Sequence, residues 1–227
     1  MKSKLVLTLA ALSATAPLYA TTLSTGHVDV GVAFEEGAFH LHIHDEDTDT
    51  EFEPDEAILQ VGALAHKVRP GGAAYNFLGN PGDMLWILEQ VQDPNLLFLG
   101  IGSEEIADGT LTGDEYTFSL VSVTHANGGH FSLYEVDGFN NPTVMLNSGD
   151  GINGADSFVL PTGGHADFNW AFTQEGEYEI AFKVDGLDGV TPVTQTATYT
   201  FDVVPEPTSA LLLATSALAL LGRRRRA

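Results

Sequence analysis

Along segment after segment of this chain of 227 residues, apolar and polar residues alternate one for one, and a period of two is that of an extended strand. From His27 to Phe34, the residues Val28, Val30, Val32 and Phe34 share one face while His27, Asp29 and Gly31 share the other. Phe39, Leu41 and Ile43 likewise oppose His40, His42 and His44. Further strands are predicted over 57–61, 85–88, 96–99, 116–123, 131–136, 168–172, 178–184 and 196–203. Between them lie turn-forming clusters such as Arg69-Pro70-Gly71-Gly72, Gly79-Asn80-Pro81-Gly82-Asp83 and Ala126-Asn127-Gly128-Gly129. A short helix is expected near Gly102 to Asp108, and the acidic stretch Asp45 to Glu56 is expected to join two strands. About ten short strands so punctuated predict an all-β chain, an antiparallel β-sandwich of jelly-roll or immunoglobulin-like type in a single domain.

The two ends read differently. Lys2 and Lys4 precede the apolar segment Leu5 to Leu18, with Ala20 as a small residue for cleavage, the pattern of a signal peptide over residues 1–20. At the other end Pro205-Glu206-Pro207 is followed by an apolar run from Ser209 to Leu221 and by Arg223, Arg224, Arg225 and Arg226. As a helix this run of thirteen residues would be roughly 20 Å long, short of the ~30 Å hydrocarbon core, so it is a marginal span. The arginines hold its far end in the cytoplasm. Short apolar helices are therefore expected at both termini, outside a folded domain of residues 21–204. The 205–227 tail resembles the PEP-CTERM sorting signal of Gram-negative bacteria. That resemblance implies an exosortase-type processing enzyme as partner after the secretion machinery, transient anchoring in the inner membrane, and delivery to the cell envelope or the extracellular space.

Charge narrows the partners. Once Lys2, Lys4, Glu206 and the four terminal arginines are set aside, three basic residues face thirty acidic ones, a net charge of −27. So negative a surface repels nucleic acid and anionic lipid and attracts cations. Cysteine is absent, so stability in an oxidising compartment must come from the core or from bound ions.

Neutral imidazole together with carboxylate suits divalent transition metals such as zinc or manganese, and the chain has eight histidines. His27 with Asp29, and His165 with Asp167, each place two such groups on one face of a strand about 6.7 Å apart. His40-x-His42-x-His44 repeats the geometry with imidazole alone. Hydrogen-bonded polar groups on a solvated face would give the same pattern, and the sequence leaves both readings open. Ligation would fail as the histidines protonate, below about pH 6. Calcium is the competing ion, at the run Asp45, Asp47, Asp49, Glu51, Glu53 and Glu56 or at Asp150, Asn153 and Asp156. A true EF-hand is disfavoured, because Thr50 stands where that loop needs glycine. No Gly-x-Ser-x-Gly elbow and no His-Glu-x-x-His occurs. Trp86, Trp170 and Tyr134 could form a sugar platform, although their places in apolar runs favour the core.

Seven short motifs in order carry a second resemblance, over Leu23 to Val184. They are Gly26-His27-Val28-Asp29-Val30, Phe52-Glu53-Pro54-Asp55-Glu56, Phe77-Leu78-Gly79-Asn80-Pro81-Gly82, Leu85-Trp86-Ile87-Leu88-Glu89-Gln90 with Leu97-Phe98-Leu99-Gly100, Gly129-His130-Phe131-Ser132-Leu133-Tyr134, Gly164-His165-Ala166-Asp167-Phe168-Asn169-Trp170-Ala171-Phe172, and Gly176-Glu177-Tyr178. Together they resemble the surface-anchored domain of actinobacterial wall proteins, also called choice-of-anchor M. The resemblance implies attachment by interchangeable anchors and a metal-related role. This chain departs from that pattern at His165-Ala166-Asp167, where the family carries His-x-His, so a carboxylate replaces an imidazole. The combined expectation is a non-enzymatic surface or matrix protein that captures zinc or manganese through His27, Asp29, His165 and Asp167, with His40 and His42 as further ligands. The alternative is an adhesive or carbohydrate-binding module stabilised by calcium.

Overall fold

A computed structural model describes residues 20–205. The predicted signal peptide and sorting tail, with their apolar helices, lie outside the described residues except for Ala20 and Pro205. Among the described residues no helix is long and apolar enough to cross a membrane.

The described chain is built from strands. In order these are β1 (Thr21–Leu23), β2 (Gly26–Glu35), β3 (Ala38–Asp45), β4 (Thr50–Phe52), β5 (Ala57–Val61) and β6 (His66–Val68). There follow β7 (Met84–Leu88), β8 (Leu97–Gly102), β9 (Glu115–His125), β10 (Phe131–Val136) and β11 (Pro142–Asn147). The last are β12 (Ser157–Pro161), β13 (His165–Asp167), β14 (Asn169–Phe172), β15 (Gly176–Asp188) and β16 (Thr191–Val203). They form three sheets: β1-β5-β16-β15-β9-β12, β11-β10-β14-β7-β6 and β13-β8-β2-β3-β4. The all-β sandwich predicted from the alternation is therefore the observed class. Most pairings are antiparallel, but β1–β5, β5–β16 and β2–β8 are parallel. Parallel neighbours require long crossovers, which local alternation does not reveal.

Strands over 57–61 and 131–136 have the bounds predicted for them. The acidic stretch is more than a connector, because Thr50–Phe52 within it pairs with β3 as β4. The helix expected near Gly102 to Asp108 does not form; β8 runs through Gly102 and a series of turns follows. The predicted strand over 168–172 breaks at Phe168, where the chain leaves the sheet of β13 for that of β14. Asn169, two residues beyond Asp167, consequently does not continue the face that carries His165 and Asp167. Asn169 is buried and donates through Nδ2 to Gln90 Oε1 at 2.6 Å and to the Tyr134 carbonyl at 3.1 Å.

The inward faces meet in a continuous core to which all three sheets contribute, including Val28, Val30, Leu99, Ile101, Trp170, Phe172, Phe182 and Phe201. Its centre is aromatic: Trp170 lies 5.6 to 5.9 Å from the rings of Phe131, Phe182 and Phe201. Each such buried side chain contributes about 1.5–3 kcal/mol through the apolar surface it removes from water. With Val28, Val30 and Val32 anchored in this core, the polar side chains between them on β2 are held outward with little freedom.

Candidate metal centre

The outer face of the β13-β8-β2-β3-β4 sheet carries five of the eight histidines: His27, His40, His42, His44 and His165. Its focus is a position with no side chain. Gly100 on β8 stands opposite Asp29 of β2 on one side and Asp167 of β13 on the other. A Cβ there would lie 2.6 Å from His165 Nε2 and 3.1 Å from Asp167 Oδ1, and closer still to Asp29 Oδ1. The side chains of two non-adjacent strands thus converge over the backbone that separates them, which a side chain on β8 would prevent.

The convergence is tight. His165 Nε2 lies 3.0 Å from Asp29 Oδ1 and 3.0 Å from His27 Nε2, and His27 Nε2 lies 3.6 Å from Asp29 Oδ1. Asp167 Oδ1 is 3.6 Å from His165 Nε2 and 3.8 Å from His27 Nε2. A tetrahedral ion with bonds of ~2.0–2.2 Å has ligand-to-ligand edges of roughly 3.3–3.6 Å, so shifts of a few tenths of an ångström would bring these atoms onto one ion. His27, Asp29 and His165 form a group that could hold a metal ion. Phe98 packs against the His27 ring at 4.8 Å between centroids and limits its swing.

Two buried carboxylate oxygens here, Asp29 Oδ2 and Asp167 Oδ1, have no hydrogen-bond donor. Buried polar atoms are rarely left so, and cation-seeking oxygens beside two imidazoles are what a metal centre requires. The hydrogen bond to Asp29 and the charges of Asp29, Asp167 and Glu104 outweigh desolvation and push His165 up to about 9. Asp167 is raised above the usual carboxylate range, first by desolvation and against the pull of His165 and His27.

The direction for His165 fixes a pH dependence. Because its folded value exceeds the ordinary 6.5, the stabilisation from the His165–Asp29 pair is complete below about pH 6.5 and is lost as pH rises through about 9. A metal must displace that proton, so the apparent affinity is expected to rise about tenfold per pH unit up to about pH 9 and then level off. Competition from the His165 proton thus extends above pH 6, because Asp29 holds that proton in place. Calorimetric titration in buffers of different ionisation enthalpy checks it: about one proton released per ion from His165 at pH 7 and about half a proton near pH 9.

The six ligands predicted from sequence divide in the structure. His27, Asp29, His165 and Asp167 come together, whereas His40 and His42 do not join them. His40 pairs through Nε2 with Glu53 Oε1 at 3.1 Å. His42 lies over Gly31, where a Cβ would fall 2.6 Å from its Cδ2. It is buried, and burial lowers its pKa against the opposing charges of Glu105 and Glu51. Beside it a pocket of about 130 Å³ is lined by Asp29, Gly31, His42, Gly102, Glu104 and Glu105, among others. Ser103 fastens the loop that bears those two glutamates by donating to the Pro161 and Gly164 carbonyls at 3.1 Å. The same contacts fix the turn leading into His165.

The remaining candidates have local roles. Asp45 accepts from the Asp47 backbone N–H at 3.1 Å and the Thr48 hydroxyl at 2.9 Å, and Asp156 accepts from the backbone N–H groups of Asn147 at 2.7 Å and Asn153 at 2.8 Å. Two of the carboxylates named for calcium, Asp45 and Asp156, are thus engaged in forming turns. Trp86, Trp170 and Tyr134 are buried in the core and offer no sugar platform. His66 stacks on Trp86 and His125 on Tyr178, while His130 lies beside Gly149 and Thr173. Sequence reasoning missed Gly31, Gly100 and Gly102; the only signal was the alternation of Gly100 and Gly102 with apolar Leu99 and Ile101 in a strand. A scan of the chain against protein-family models gives no match, and a search of curated proteins gives none.

Proposed function

We propose that this is an exported, non-enzymatic β-sandwich of the cell surface or extracellular matrix that captures a divalent transition ion, zinc or manganese, through His27, Asp29, His165 and Asp167. The observation that carries it is the meeting of two imidazole Nε2 atoms and Asp29 Oδ1 within 3.0 to 3.6 Å over Gly100. Two nitrogens and one or two carboxylate oxygens are a borderline-soft set that suits zinc or manganese better than calcium, which prefers six to eight oxygens. Export and exosortase-type processing rest on the termini, through the signal-peptide pattern of residues 1–20 and the likeness of the 205–227 tail to PEP-CTERM signals. The likeness to choice-of-anchor M domains supports a metal-related surface role. A negative domain supports the same reading, because it concentrates cations near its surface.

Thermal melts of the purified full-length chain with zinc, manganese or calcium test the reading. At 100 times the dissociation constant a ligand adds ~2.7 kcal/mol, and for a domain of this size that raises Tm by roughly 5–11 °C. Zinc or manganese is expected to give such a rise in the wild type and little in His165→Ala. An equal rise in both chains, or a rise with calcium alone, overturns the assignment.

A further inference from the structure

Along the same sheet face lies a second group that the first centre does not use. His42 of β3, Glu51 of β4 and Glu105 of the loop after β8 bring one nitrogen and two carboxylate oxygens within 4.8 Å of one another. His42 is buried to 2 % exposure, its Nδ1 has no hydrogen-bond partner, and Glu105 Oε1 stands 3.9 Å from its Nε2. Space has been left for this ring, because Gly31 beneath it is the one β2 residue opposite His42 and any Cβ there would enter the imidazole. A buried imidazole that faces two carboxylates without bonding to either is arranged for something placed between them. The acid-lined pocket above Gly31 and Gly102 gives access from solvent.

We propose that His42, Glu51 and Glu105 hold a second divalent cation at a site separate from the His27–His165 centre. The separation follows from sheet geometry. Gly31 and Gly100 are one strand apart and offset by two residues, and strands ~4.8 Å apart with ~6.7 Å per residue pair give a diagonal of about 8 Å. That is too far for two ions to share a ligand pair as in a dinuclear centre, whose spacing is about 3.5–4 Å. One imidazole and two carboxylates make a harder set than two imidazoles with one or two aspartates, so the second site favours manganese more strongly than the first does. With two glutamates free to swing outward, its ion exchanges faster. Asp29 stands between the two positions: Oδ1 faces the first centre, while Oδ2 lies 2.9 Å from where a Gly102 Cβ would be, and Asp29 also lines the pocket beside His42.

Equilibrium dialysis of the full-length chain against manganese, at about 0.15 M salt to screen loose counterions, counts the ions. Two per chain are expected for the wild type and one each for His165→Ala, His42→Ala and the double variant Glu51→Gln/Glu105→Gln. The glutamate pair is exposed, so its variant keeps the test open if His42→Ala misfolds. Electron spin-echo modulation from an imidazole nitrogen is expected for the ion retained by His165→Ala. A wild type that binds one ion, lost in His165→Ala and kept in both other variants, overturns the second site and leaves the first standing. One ion lost with His42 and kept without His165 counts against the first reading alone, whereas no bound manganese overturns the second site and leaves the first to the zinc melts.

Discussion

Gly100→Val is expected to abolish the metal response while leaving the sheet intact. The backbone at Gly100 has no need of a positive φ, and valine suits a strand interior, so β8 can still form. The new Cβ, however, would occupy the point on which Asp29 Oδ1, His165 Nε2 and Asp167 Oδ1 converge. These side chains must swing apart, and the edges needed for one ion are lost. Disturbing the supports of a metal site already costs 10–100-fold in affinity, so filling the cradle itself is expected to cost at least about 100-fold. Overpacking lowers metal-free stability by only about 1–3 kcal/mol. Calorimetric zinc titration with far-ultraviolet circular dichroism checks both parts, and undiminished zinc affinity in a folded Gly100→Val chain would show that the four side chains do not bind over this residue.

The largest loss of stability is expected at Trp170→Ala. Trp170 is fully buried among Phe131, Phe182 and Phe201, and its indole N–H donates to the Leu99 carbonyl at 2.8 Å. That bond joins the sheet of β14 to β8, one residue from Gly100. Truncation leaves a cavity and an unpaired buried carbonyl, at a cost of about 3–5 kcal/mol, or a fall in Tm of roughly 6–20 °C. Metal-free thermal and urea unfolding measure it; a loss under about 1 kcal/mol would mean that the cavity collapses or that the core is centred elsewhere.

Some of the site was legible in the sequence because strand geometry is local. His27 and Asp29 alternate with Val28 and Val30, and His165 and Asp167 flank Ala166, so each pair could be assigned to one face from spacing alone. The burial of His42 was not legible, since it depends on the Glu104–Glu105 loop held in place by Ser103. Nor was the position of Asn169, since the break at Phe168 reflects competition between two sheets for one segment. Nor could spacing tell turn formers such as Asp45 and Asp156 from ion ligands, because a carboxylate that closes a turn and one that binds an ion have the same spelling.

By itself the sequence determined the class of fold, through a period of two that only extended chain can satisfy with one face in a core, and it determined which residue types face outward on β2, β3 and β13. Only the tertiary structure decided which of them meet. The parallel pairing of β2 with β8 and the antiparallel pairing of β13 with β8 bring together residues 27–29, 98–102 and 165–167, and the register of strands so distant in the chain is set by global packing. Gly100 acts through the side chain it lacks, and the use of that space is fixed by the strands on either side of it.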